Sequence, residues 1–303
     1  MAENAFLNQD IRPIIFGEVL YDHFPDDSKV LGGAPFNVAW HLQGFGMHPL
    51  LLSRIGDDAD GHAVLERMAA WGMDTLAMQH DAAHPTGMVD ITLHNDQPQF
   101  HIAANQAYDH IEYEKFKSTS TGHAHTILYH GTLAARSPES RNTLHRLRED
   151  QKLSTFVDIN LRPPWWQQEE VDWALDGAHW VKLNDDELFQ QCSATVSLSE
   201  AAQQLAKNHH IETLIVTLGS RGALLLQHDD IYHCAAAQVT DLVDSVGAGD
   251  AFSAVILLGL SRRWGAERLL QNAVDFAAAI CRRRGATVYD KDFYNEFLNQ
   301  WED

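Results

Sequence analysis

Asp244-Ser-Val-Gly-Ala-Gly-Asp250 stands immediately before an apolar stretch that runs from Ala251 to Leu260. Glycines at 247 and 249 let the backbone aim several N–H groups to one side. A helix beginning here adds the positive end of its dipole. Gly247, Ala248 and Gly249 would then form an anion cradle, suited to charge developing on a transferring phosphate. Asp250 would lie in the first helical turn, where a carboxylate can take a proton from an attacking alcohol. A plainer reading also fits: a glycine-rich turn followed by an acid that the helix dipole favours.

Other reactive side chains offer weaker patterns. The chain has 18 histidines, but His123-x-His125 and His209-His210 lack carboxylate or cysteine partners at metal-ligand spacing. Solvated or hydrogen-bonded histidines are expected. Trp165-Trp166 and Trp173 could stack on a sugar, yet packing behind Pro163-Pro164 suits them better. Tyr108 could touch a ligand or simply pack. Cys192, Cys234 and Cys281 are odd in number, far apart and without a CxxC pair, as in a reducing cytosol.

Such residues need a scaffold. Short apolar runs at Pro13–Phe16, Pro49–Ser53, Thr126–His130, Thr155–Ile159, Trp180–Leu183 and Thr213–Thr217 alternate with polar or helical segments. Helical patterns cover Phe36–Gly44, Ala59–Trp71, Gly249–Leu260 and Glu267–Arg282, and Ala223–Leu226 suggests a hairpin partner after Ser220-Arg-Gly222. Strands separated by helices argue for βαβ units, hence an α/β fold with a parallel sheet and helices on both faces. From Thr86 to Ile111 the rhythm changes. Val89, Ile91 and Leu93 alternate, a turn is expected at Asn95-Asp96-Gln97-Pro98, and a second strand at Gln99–Ala103. Leu20–Gly32 would add strands beside this hairpin.

Charge and length narrow the function. With 22 basic and 42 acidic residues, the net charge is −20. That balance opposes nucleic-acid backbones and anionic membranes, while a local basic pocket for a phosphorylated ligand stays open. The apolar run at Ala251–Leu260 is too short to span a bilayer, and Met-Ala-Glu-Asn is no secretory n-region, so a cytoplasmic protein is expected. The 303 residues show no linker, repeat or low-complexity tract, which favours one domain over residues 1–303. Two excursions, near 20–34 and 86–111, would form its β-rich lid.

Asp244-Ser-Val-Gly-Ala-Gly-Asp-Ala-Phe252 resembles the C-terminal signature of the ribokinase-like (PfkB) carbohydrate kinases, D-T-x-G-A-G-D, with Ser245 keeping the hydroxyl of the usual Thr. Gly32-Gly-Ala-Pro-Phe-Asn-Val-Ala39 resembles the family's double-glycine segment, and Arg54-Ile-Gly-Asp-Asp-Ala-Asp-Gly61 its next block. The three occur in family order and spacing, and the resemblance covers nearly the whole chain. Gly17-Glu18, Gly-Ala-Pro-Phe-Asn and Asp158-Ile-Asn-Leu-Arg-Pro163 look most like the fructokinase branch.

The resemblance implies a ribokinase-like fold and an ATP- and Mg2+-dependent sugar kinase, with Asp250 as base and Gly247, Ala248 and Gly249 as anion hole. Asp22 would bind sugar hydroxyls, with Gly32, Gly33 and Asn37 lining the other side; the plain alternatives are a loop acid and a helix cap. Asn160 and Arg162 fall where open α/β sheets bind ligands. Arg162 could hold an acidic group or a phosphate, or make a structural ion pair. Asn184 and Glu187 match the N-x-x-E motif associated with Mg2+ and phosphate, with Glu187 acting through water, and they also match a capping box. Thr217, Gly219 and Gly222 resemble the nucleotide-side turn, and Ala277–Ala286 would flank adenine, although Asp275 departs from the Asn of many relatives. Asp244, Val246 and Gly285 fall where relatives hold a monovalent cation, so K+ stimulation is expected. An open sheet edge in the lid is a liability, so a homodimer paired through the lids is expected, as in several relatives. Rival acceptors are a 2-keto-3-deoxy sugar acid, ribose or a nucleoside. A non-catalytic sugar or nucleotide sensor is the rival of another class.

Overall fold

The computed structural model describes residues 12–94, 97–119, 127–151, 153–192, 196–236 and 239–302. The expected turn at Asn95-Asp96, the start of the strand at Thr126, His123-x-His125 and the N-terminal Met-Ala-Glu-Asn lie outside them. Strands of the larger sheet are β1 (Ile14–Phe16), β4 (Leu50–Gly56), β5 (Met78–Asp81), β8 (Ile127–His130), β9 (Ser154–Asp158), β10 (Trp180–Asn184), β11 (Thr213–Thr217), β12 (Ala223–Gln227) and β13 (Asp230–Cys234). The smaller sheet contains β2 (Leu20–His23), β3 (Lys29–Gly32), β6 (Gly87–His94) and β7 (Gln97–Ile102).

The larger sheet runs β13-β12-β11-β10-β9-β8-β1-β4-β5. From β11 to β5 every pairing is parallel, while β12 and β13 add an antiparallel edge. Side chains alternate across it. Ile15, Leu51, Phe156 and Ile215 pack on one face, and Ile14, Leu52, Val157 and Leu214 on the other. Both faces are therefore covered, which is why these strands read as unbroken apolar runs.

The first face is covered by α1 (Ala34–Gly44), α2 (Ala59–Trp71), α8 (Ala248–Ser261), α9 (Ala266–Ile280) and α10 (Lys291–Glu302). The opposite face carries α3 (Tyr113–Thr119), α4 (Pro138–Gln151), α5 (Gln168–Leu175), α6 (Asp185–Gln191) and α7 (Leu198–His209). The smaller sheet, in order β3-β2-β6-β7, comes from the two excursions anticipated in the sequence.

Several boundaries differ from the sequence expectation for local reasons. Helix α1 begins two residues early, because Pro35 suits a first turn whose N–H would be unpaired anyway. Strand β4 continues past its apolar run to Gly56, since Arg54 is buried there against Asp81 at 2.8 Å. The short, largely polar β5 and β13 carry no apolar run to announce them.

Candidate active site

Strands β1, β8, β9, β10 and β11 lie side by side, so the loops leaving their carboxyl ends converge. Those loops carry Glu18, Gly131, Asn160 to Arg162 and Gly219, and Asn184 is the last residue of β10. Helix α8 points its N-terminus at the same edge: a Cβ on Gly249 would lie 3.1 Å from Lys182 Nζ of β10. Ala251 to Gly259 are buried all round, which fixes the helix in the core.

Gly247 is the N-cap of α8, with φ +78, and no side chain caps that end. Any Cβ there would stand 2.4 Å from the Ala286 Cβ, so both backbone sign and space require glycine. Uncapped amides at the positive end of a long helix, unobstructed by a side chain at Gly249, fit a phosphate group.

Asp250 follows in the first turn. Its Oδ2 accepts a 2.8 Å hydrogen bond from Asn37 Nδ2 in α1. Burial pushes the Asp250 carboxyl up to about 6, against the pull of that hydrogen bond. The Asn37 Oδ1 is buried without a hydrogen-bond partner among the described residues. A Cβ on Gly32 would lie 3.8 Å from Asp22 Oδ2 and 4.0 Å from this Asn37 Oδ1, so the three surround one spot. Burial raises the Asp22 pKa as well, with Arg162 opposing. Gly33, at φ +104, is held against the Glu18 carbonyl, 2.6 Å from where its Cβ would be. Asn160 takes φ +44, turning the chain after β9 toward Arg162. Arg162 is exposed, and its positive field falls on Glu18, Asp22 and Asp250.

Two buried charges are not read as site groups in the sequence, where Glu18 stands only as part of a family signature and Lys182 is passed over. Glu18 is 4% exposed, its Oε2 has no hydrogen-bond partner among the described residues, and burial drives its carboxyl up to about 7. Lys182 donates to both oxygens of Asp158, each at 3.0 Å, beneath α8. A glutamate after Gly17 could have flagged the first; a lysine inside an apolar run, Val181-Lys-Leu183, could have flagged the second.

On the other side, Asn184 and Glu187 form a reciprocal capping box at the start of α6. Glu187 also accepts from Leu161 N at 2.7 Å, and burial raises its pKa. Both its oxygens thus serve backbone amides, leaving their second lone pairs for a metal-bound water. Such an indirect arrangement agrees with the chemistry of Mg2+, and among the described residues no cluster of three or more His, Cys, Asp or Glu could hold a metal directly. Thr217 ends β11, its Oγ1 donating to Leu183 O at 3.4 Å, and Gly219 has open space where a side chain would be. At Gly222, φ +98, a Cβ would meet Cys234 O at 2.0 Å, so the turn into β12 requires glycine there. Asp244 joins the remaining pieces, Oδ1 accepting from Val246 N at 3.0 Å and Oδ2 from Gly285 N at 3.1 Å. Val243 and Asp244 are in turn tied to Cys281 O at the end of α9. Leu242, Val243 and Val246 stay exposed beside this loop.

Trp165, Tyr108 and Trp173 pack against arginines. Arg136 lies 4.3 Å over Trp165 and 5.1 Å over the buried Tyr108, and Arg148 lies 4.4 Å over Trp173. His210 ends α7 in a left-handed turn. Asp275 accepts from Gln271 at 3.0 Å.

A doubly covered, mostly parallel sheet with a smaller separate sheet beside it, and a glycine-flanked helix start at Asp250 facing Asn37, is the arrangement of a ribokinase-like carbohydrate kinase. Residues 9–292 match the pfkB family of carbohydrate kinases, and the chain belongs to that family. It is 28% identical to a fructokinase of Escherichia coli over 278 residues, 87% of this chain and 89% of the relative. A crystallised double mutant of the Vibrio cholerae fructokinase, with fructose, ADP and potassium bound, shares the fold with TM-score 0.79 at 24% identity, covering 96% and 99% of the two chains. Aminoimidazole riboside kinase from Salmonella enterica aligns with TM-score 0.78 at 24% identity over 95% and 99%. The chain is therefore a phosphotransferase acting on a sugar hydroxyl.

Proposed function

We propose that the chain is an ATP- and Mg2+-dependent fructokinase of the cytoplasm, active as a homodimer. The observation that carries the reading is the hydrogen bond from Asn37 to Asp250, which brings the sugar-lining segment onto the acid at the anion cradle. A sugar held by Asp22, Gly32, Gly33 and Asn37 presents a primary hydroxyl to Asp250. Asp250 takes the hydroxyl proton, the oxygen bonds to the γ-phosphorus, and the bond from that phosphorus to the β-phosphate oxygen breaks, releasing ADP. The amides of Gly247, Ala248 and Gly249 stabilise the migrating group. Asn184 and Glu187 would hold Mg2+ through water, and the ion would supply neutralisation of phosphate charge. Leu242 and Val243 supply an apolar surface for the base, and Thr217 and Gly219 line the phosphate side.

Fructose as acceptor rests on the fructokinase relatives and on the local signatures they share. Closure of the smaller sheet as a lid would exclude water. Its edges, β3 and β7, expose Val30 and Phe100, which pairing between two lids would cover. Among the described residues no helix is long and apolar enough to cross a membrane.

The test is ADP release with ATP, Mg2+ and a panel of fructose, ribose, nucleosides and 2-keto-3-deoxy sugar acids. Fructose is expected to give the highest kcat/KM, and Asp250→Asn to lose at least ~100-fold in kcat with little change in sugar affinity. A better acid acceptor would transfer the reading to Arg162 as a carboxylate anchor. Sugar binding without ADP release from any acceptor would make the chain a sensor.

A further inference from the structure

Lys182 is a buried cation that the reaction as written leaves idle. It lies in β10 between the fully buried Val181 and Leu183, and its ammonium is bound by Asp158 through both oxygens, each at 3.0 Å. Asp158 ends β9, and its Oδ2 also accepts from Ser253 Oγ at 2.8 Å and from Tyr129 Oη at 3.2 Å. Ser253 stands three residues beyond Asp250 on α8, and Tyr129 lies in β8. One carboxylate therefore binds three strands to the helix that carries the anion cradle. Directly over the lysine, Gly249 leaves room that a Cβ would fill at 3.1 Å from Nζ.

Stability alone is a poor reason for such a pair, because the cost of desolvating two charges offsets most of their attraction. Its position suggests a different role. Ammonium has three N–H groups and no acceptor; Asp158 engages two directions and the first turn of α8 closes over the remainder. The paired 3.0 Å contacts with both oxygens of Asp158 are those of an ammonium held by a carboxylate.

We propose that Lys182 is a positioning residue of the phosphoryl-transfer site: gripped by Asp158, it supports the Gly249 turn from beneath and keeps one fixed positive charge behind the anion cradle. The proposal rests on the reading of Asp250 as the base. The charges and titratable groups facing this region are Asp158 on β9, Lys182 on β10, Glu187 on α6, Tyr129 on β8, Arg162 beyond β9 and Glu18 beyond β1. Of these, Asp158 and Lys182 act on Asp250 in opposite directions, the carboxylate disfavouring its ionisation and the ammonium favouring it.

Opposite signs give the test. Carboxyl resonances of 13C-aspartate-labelled protein, with Asp250→Asn for assignment, report the titration of Asp250 without any acceptor sugar. Lys182→Met is expected to move that midpoint to higher pH, and Asp158→Asn, which keeps an acceptor for Ser253 and Tyr129, to lower pH. Kinetically, Lys182→Met should lose about 30-fold or more in kcat while the sugar KM changes less than about 3-fold. The acid limb of its kcat/KM profile should follow the carboxyl midpoint. A merely structural lysine would shift neither. Should Lys182→Met not fold, Lys182→Arg keeps the charge but crowds the Gly249 turn, and is expected to lose kcat without moving the midpoint. Midpoints that stay put, or move together, in folded Lys182→Met and Asp158→Asn would overturn the proposal, as would full kcat in Lys182→Arg. Wild-type turnover in Asp250→Asn would instead unseat the base reading, leaving the Asp250 titration to decide the role of Lys182.

Discussion

Asn37 and Asp250, 213 positions apart, meet through a 2.8 Å hydrogen bond from amide Nδ2 to carboxylate Oδ2. The bond joins the first turn of α1 to the first turn of α8. Two helix starts thus face each other, one preceded by Gly32 and Gly33 and the other by Gly247.

That contact also favours the ionised form of the acid. After the upward push of burial, the Asn37 amide is the first influence holding the Asp250 pKa down. Asn37→Ala removes it, so the acid limb of kcat/KM should move to higher pH than in the wild type. A loss of about 10- to 100-fold in kcat/KM at pH 7 is expected, from the lost hydrogen bond and the looser base. A pH–rate profile with the best acceptor checks both, and an unmoved limb would separate Asn37 from the base.

The fold is largely legible in the sequence. The runs at Thr213–Thr217 and Trp180–Leu183 read as strands because a sheet covered on both faces leaves no polar positions to disguise them. The glycine-flanked helix start at Asp244 to Asp250 is legible too, because glycine spacing and a following apolar helix are local signals. The charges beneath were harder. Lys182 looks like an ordinary break in an apolar run until β9 brings Asp158 beside it. Glu18 stands out in the sequence only as part of Gly17-Glu18, since its burial is made by folding. Glu187 shows a different limit: its capping-box spacing was legible, while its bond to Leu161 N comes from a distant loop. Pairings made only by tertiary structure have no period or spacing to announce them.

Gly247 offers a test of the cradle's backbone. Its φ of +78 and the 2.4 Å approach of the Ala286 Cβ both exclude a side chain. Gly247→Val should reduce unfolding free energy by about 3 kcal/mol, combining strain with overpacking. Gly177, at φ +69 with nothing within 4 Å of a Cβ, is the control: Gly177→Ala should cost only about 1 kcal/mol. Urea denaturation distinguishes the two. Activity should vanish only in the first, and equal costs would mean that Ala286 yields.

Asp244 connects Val246 and Gly285, so a cation held by the carbonyls of that loop would stiffen the amides of the cradle. Turnover should therefore rise when K+ replaces tetramethylammonium at matched ionic strength. Asp244→Asn, which weakens the tie to Gly285, should blunt the response. Equal rates in both salts would remove the monovalent cation from the reading.

Glu18 gives the clearest prediction for stability against pH. Its carboxyl ionises near 4.5 in the unfolded chain and near 7 in the folded one, driven up first by burial. Between those values the native state holds a proton that the unfolded state has released. Its contribution is thus full below pH 4.5 and is lost as pH rises through 7. Glu18→Gln fixes the neutral form and escapes that loss. The variant should gain on the wild type as pH climbs from about 5 to 8, approaching roughly 3 kcal/mol. Burial of Asp250 has the same sign, but it is common to both proteins and cancels in the difference. Paired urea titrations across that range measure it. A constant difference would show that Glu18 finds a partner that keeps it ionised, and the exposed Arg162, whose field already opposes burial there, is the group that would have to move in.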